Sequence, residues 1–217
     1  MNVIHMKNNI TEDFETFLNI VRHSYHMFKQ YCYLYEDNDE RLSILEEIAH
    51  QLFYDVQGMW IAHIFLDICK LTDPAEQIGN KNMTIDHWVK EFDSKLTDSE
   101  KDSINASKAI CIEKRDKVKK ARSKVIAHID YNVAINKDSL GKIEKEEIEE
   151  FYSNIEIILD LFSRKLGRGS APLHFVAQKD AEDLIQGLKK AIHYDHLFES
   201  NPRGAWEERK KWKYKDA

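Results

Sequence analysis

At 217 residues the chain is long enough for one domain with an extension, and its net charge of −6 excludes a globally basic nucleic-acid coat. Its 42% hydrophobic and 32% charged residues, with only seven Gly and three Pro, exclude a turn-rich sheet and predict long amphipathic helices. The expected fold is all-α, an antiparallel up-down bundle of about five or six helices.

From Thr11 to about Glu36, Phe14, Phe17, Leu18, Val21, Tyr25, Phe28, Cys32 and Tyr35 recur at steps of three and four, which predicts one face of a first helix. Asn38 and Asp39 suit an N-cap, and Leu42, Leu45, Ala49, Leu52, Val56 and Met59 continue the same rhythm into a second helix ending near Leu71. Thr72-Asp73-Pro74 stops it, because proline disfavours the α conformation in the residue before it. The stretch Gly79-Asn80-Lys81-Asn82 reads as a polar loop, and a short helix is expected over Thr84 to Leu96. The apolar run Met59 to Leu66 is too short to span a bilayer and too closely flanked by Asp55 and Asp67, so no membrane association is expected.

Thr97-Asp98-Ser99-Glu100 has the capping-box pattern and opens the next helix. Its core stripe is Ile104, Cys111, Val118 and Val125 at seven-residue spacing, and the pattern lapses after Asp130 into a loop from Tyr131 to Gly141. A fifth helix is predicted over about Ile143 to Leu166. Gly167 to Pro172 then reads as a linker, Ala181 to Phe198 as a further amphipathic helix, and Trp206 onward as a basic, aromatic tail. The expected organisation is a bundle over residues 1–166, with residues 167–217 packed on it or extending from it. Cys32, Cys69 and Cys111 form no CxxC pair and no secretory leader is read, so a cytoplasmic location is expected.

Charge is unevenly placed. Lys114, Arg115, Lys117, Lys119, Lys120, Arg122 and Lys124 are opposed between them only by Asp116. Such a run is either a solvated helix face or a local patch for a polyanion. It overlaps Arg122 and His128, the candidate catalytic pair. An Arg–His spacing alone is weak, since Arg168 and His174 repeat it in the linker. On an ideal helix, however, Arg122 and His128 fall on either side of the Val118 and Val125 stripe, about 120° apart. A two-fold dimer packed on that stripe would bring the pair from one chain to the pair from the other. The alternatives are that His128 caps a helix C-terminus and Arg122 makes a surface ion pair.

The segment Arg122-Ser123-Lys124-Val125-Ile126-Ala127-His128-Ile129-Asp130 resembles the signature of the HEPN superfamily. Phe53-Tyr54-Asp55-Val56-Gln57, Leu71-Thr72-Asp73-Pro74 and Asn80 to Ile85 resemble its AbiU-type abortive-infection branch, with similarity over roughly residues 20 to 165. The resemblance implies a helical bundle that dimerises across the motif helix and cuts RNA without a metal ion or other cofactor, in phage defence or as a toxin. Arg122 and His128 would be catalytic, Ser123 and Asp130 supporting, and Lys114, Arg115, Lys117, Lys119, Lys120 and Lys124 would bind RNA. An antitoxin is a further implied partner. In related toxins a Tyr two residues after the His receives a nucleotide; here Tyr131 lies three residues after it, which departs from that pattern.

Some HEPN proteins lack activity, so the alternative is a non-catalytic dimer that binds RNA or a protein, and behind it a purely structural bundle. Weaker features are the histidine pairs His23/His26 and His193/His196, which could hold a metal only with ligands from elsewhere, and the aromatic cationic tail, which could stack on single-stranded RNA. No glycine-rich phosphate loop, nucleophile elbow or paired-cysteine zinc site is present in the sequence.

Overall fold

The computed structural model describes residues 10–121, 143–173 and 178–211. Among them are seven α-helices: α1 (Ile10–Tyr35), α2 (Asp39–Thr72), α3 (Ile85–Phe92), α4 (Asp98–Ala121), α5 (Lys145–Lys165), α6 (Lys179–Ser200) and α7 (Pro202–Arg209). The fold is all-α apart from a small antiparallel hairpin, β1 (Glu76–Gln77) and β2 (Asn80–Lys81). No helix among the described residues is long and apolar enough to cross a membrane.

The chain divides into two compact units. The first comprises residues 1–28 and 59–175, the second residues 29–58 and 176–217.

The core of the first unit is aromatic. The stripe predicted for the first helix is buried as expected, with Phe14, Phe17, Leu18, Val21, Tyr25 and Phe28 all withdrawn from solvent. Phe14 meets Trp88 of α3 edge-on at 5.2 Å, and Phe92 stacks on Phe162 of α5 at 4.7 Å. Such ring pairs add about 0.5–1.5 kcal/mol each beyond their buried area. A hydrogen bond of 2.6 Å between the buried hydroxyls of Ser24 and Tyr152 ties α1 to α5. Tyr152→Phe leaves the Ser24 hydroxyl without that partner, so we expect a loss of about 1–2 kcal/mol in urea denaturation. Adding Ser24→Ala to that variant should cost little more, because the two groups form one interaction.

Local signals place the ends of these helices. Thr84 caps α3 by accepting from the His87 amide, and a 3-10 turn over Asp93–Lys95 finishes it. At α4 the capping box is complete: the Thr97 hydroxyl accepts from the Glu100 amide, and Glu100 accepts from the Thr97 amide at 2.8 Å. Lys165 of α5 reaches the same carboxylate at 2.7 Å. The Lys165 ammonium, and after it the Thr97 amide, hold the Glu100 carboxyl down at about 2.

The pH sign follows from that lowered value. The contribution of Glu100 to stability is complete above the unfolded carboxyl pKa of about 4.3 and is lost as pH falls toward about 2. The difference in urea midpoint between wild type and Glu100→Gln should therefore be open at neutral pH and close across that acid window.

Helix α5 ends in a Schellman motif. Gly167 takes φ +72°, its amide donates to the Arg164 carbonyl, and the Arg168 amide donates to that of Ser163. The predicted linker is then held along α5. Asp160 accepts from the Ala171 amide at 2.6 Å and Glu156 from the Leu173 amide at 3.0 Å, while Ser163 donates to the Gly169 carbonyl. Ala171 and Leu173 are buried.

In the second unit the buried residues include Tyr31, Cys32, Leu34 and Tyr35 of α1, Ile44 and Leu45 of α2, Ala181 and Ile185 of α6, and Ala205 of α7. The Arg41 guanidinium lies 3.6 Å over the Tyr33 ring, and Lys189 of α6 pairs with Glu40 at 2.7 Å. Asn201 caps α7 by accepting from the Gly204 amide, with Pro202 at its first turn.

The apolar stripe predicted along the second helix fails. Leu45 is buried, but Leu52 is 59% exposed and Met59 61% exposed. Ala49 departs from helical geometry, with φ −161° and ψ 68°, so the residues before and after it are out of phase and no single face runs from Leu42 to Met59. The loop expected at Gly79 is the hairpin turn. Ile78 and Gly79 both take positive φ, as a two-residue primed turn requires, and Ile78 stands 94% exposed at its tip.

Candidate functional site: the end of the motif helix

Helix α4 carries the chain to Ala121, the residue before Arg122. The motif residues Arg122, Ser123, Lys124, His128 and Asp130 lie outside the described residues, as do Val125 and Tyr131. What the structure describes is the support on which that segment is mounted.

Ile104, Ser107, Cys111, Lys114, Val118 and Ala121 are buried at alternating steps of three and four, so α4 presents one continuous seam inward. The seam packs on α5, where the Cys111 thiol donates to the Phe151 carbonyl at 3.7 Å. Burial pushes the Cys111 thiol up to about 12, which removes it as a nucleophile at neutral pH.

Ile104, Cys111 and Val118 are buried inside the protomer, as the predicted core stripe requires, while Val125 lies outside the described residues.

The cations predicted to bind RNA divide into two groups. Lys114 is buried in the seam, and its ammonium donates to Glu150 at 2.8 Å and to Glu113 at 3.1 Å, with Glu147 at 3.7 Å. The Glu150 hydrogen bond keeps its pKa above the ordinary lysine value against the opposing effect of burial. Arg115 pairs with Asp116 at 2.9 Å and donates to the Thr72 carbonyl at 3.3 Å, in the last turn of α2. Lys117 pairs with Glu147, which also takes the Glu144 amide in a second capping box. Lys117 and the Glu144 amide hold the Glu147 carboxyl below the usual carboxylate range.

Lys119 and Lys120 form the second group, exposed in the last turn of α4. Within the basic run, Lys114 and Lys117 therefore form a ladder of ion pairs to α5, while Arg115 turns to Asp116 and the end of α2. Sequence reasoning missed the acids because Glu147 and Glu150 lie some thirty residues downstream, on a separate helix.

Elsewhere, a cleft of about 610 Å³ opens between α6 and α7, lined in part by Lys190, His193, Tyr194, Leu197 and Glu208. Among the described residues no group of three or more His, Cys, Asp or Glu is placed to hold a metal ion.

An all-α bundle whose fourth helix leads directly into an Arg-x₅-His segment is the arrangement of a HEPN domain. The pattern of the HEPN AbiU2 family matches residues 10–186, and the chain belongs to that family, as a HEPN-type abortive-infection protein. No curated protein and no solved structure matches the chain.

Proposed function

We propose that this protein is a metal-independent endoribonuclease of the abortive-infection type, acting as a homodimer in which the two Arg122–His128 segments together form the site. The observation that carries the reading is the family match, whose span of residues 10–186 includes the motif and the helix before it.

The chemistry fits these residue types. An imidazole titrates near neutral pH, so His128 can take the proton of a ribose 2′-hydroxyl or return one to the leaving 5′-oxygen. The 2′-oxygen bonds to the adjacent phosphorus as the bond to the 5′-oxygen breaks, giving a 2′,3′-cyclic phosphate and a free 5′-hydroxyl. Arg122 holds the phosphate and the charge that builds on it. Ser123 hydrogen-bonds the phosphate and Asp130 orients His128. The nucleophile is part of the substrate, so a metal-bound hydroxide has no task in this scheme. Lys119 and Lys120, exposed in the last turn of α4, would guide the RNA backbone together with Lys124, whereas Lys114, Arg115 and Lys117 make ion pairs with carboxylates.

The test is incubation of the purified protein with total cellular RNA and tRNA in excess EDTA, alongside Arg122→Ala and His128→Ala. Discrete fragments from wild type alone support the nuclease. Intact RNA in every lane, with RNA or a protein still bound, overturns it in favour of a non-catalytic module.

A further inference from the structure

Lysine in a helix–helix seam is an expensive choice. Lys114 occupies the position between Cys111 and Val118 where an apolar side chain would pack without desolvating a charge. Its ammonium is met by Glu150, Glu113 and Glu147, and Lys117, one turn further on, meets Glu147 again. Two cations thus share three carboxylates, two of them on the first turns of α5. Apolar packing is non-directional and tolerates rotation of one helix against another. A buried ammonium satisfied by carboxylates on the facing helix tolerates little, because rotation strands it without partners.

Lys114 lies seven residues before Ala121, about 10 Å along the helix axis, with no glycine or proline between them. A rotation of α4 set at Lys114 is therefore passed rigidly to the end of the helix. We infer that Lys114 is a positioning residue for the motif: its ion pairs with Glu150 and Glu147 of α5 fix the rotation of α4 and so the orientation of its last turn, from which the chain continues into the motif. The inference rests on the ribonuclease reading for its activity readout.

The variants are Lys114→Met and Lys114→Arg. Methionine fills the seam with a side chain of similar length, and Glu113 and Glu150 are half exposed or more, so they rehydrate rather than remain as buried orphan charges. Lys114→Met should keep the wild-type Tm or exceed it. Its kcat for RNA cleavage should fall about 10-fold or more with KM little changed, because misplacing reacting groups by a fraction of an ångström is enough for such a loss. Lys114→Arg should restore most of the kcat, since it returns the charge to the seam.

Unchanged cleavage by Lys114→Met overturns the inference, and so does a loss of activity that merely accompanies a fall in Tm. If wild type itself cuts no RNA, the ribonuclease reading fails, and the inference is decided by ¹⁵N–¹H spectra. Displaced amide signals for Lys119 to Ala121 in Lys114→Met, with wild-type positions in Lys114→Arg, support it. Identical spectra overturn it.

Discussion

His128→Ala is expected to lower RNA cleavage by about 10²–10⁴-fold while leaving RNA affinity within about two-fold, the signature of a lost proton-transfer group. The reason lies in the division of labour between the two motif residues. Imidazole contributes to the transition state by exchanging a proton, and in its neutral form adds little to the binding of a polyanion. Arg122→Ala should differ in kind. On the proposed reading it removes a charge that holds the phosphate in both ground and transition states, so both affinity and rate should fall, the rate by about 10²–10³-fold. Single-turnover cleavage with filter binding separates the two variants. Equal activity of wild type and His128→Ala would end the nuclease reading.

The second large effect is on stability. Phe162 is fully buried, stacks on Phe92 at 4.7 Å and meets Phe14 at 6.4 Å, so it joins α5 to both α3 and α1. Phe162→Ala opens a cavity that rigid neighbouring rings fill poorly, and the expected cost is about 3–5 kcal/mol. For a chain of this size each kcal/mol lowers Tm by about 2–4 °C, so a drop of roughly 6–20 °C should appear in a thermal melt followed by circular dichroism. A drop of only one or two degrees would mean that the aromatic cluster is not the centre of the first unit.

Several elements were legible in the sequence for physical reasons that the structure makes plain. The stripe from Phe14 to Tyr35 is regular and wholly apolar, and all of it is buried. Thr97 and Glu100 form their reciprocal bonds because a capping box needs only four consecutive residues. Local signals also existed for two elements that went unread. Asn201-Pro202 is an N-cap followed by proline at the first turn, which announces α7, and the Gly79 region carried the turn of the hairpin.

What was illegible depended on partners distant in sequence. The phase break at Ala49 has no proline or glycine to mark it, and it undid a stripe that looked unbroken. Lys114 and Lys117 read as free cations because nothing near them in the chain reveals Glu147 and Glu150 on the opposite helix. The proposed catalytic pair rests on the motif read from the sequence, since Arg122 and His128 lie outside the described residues.

The inward seam of α4 separates two processes that many dimers combine. Because α4 buries Cys111 and Val118 and packs on the protomer's own α5, this part of the core closes within a single chain, which makes its folding separable from the proposed dimerisation. If the proposed homodimer forms the site, its activity is governed by mass action on folded protomers: below the dimer dissociation constant the pool would be intact but idle, and a modest rise in copy number would increase the assembled fraction more steeply than in proportion.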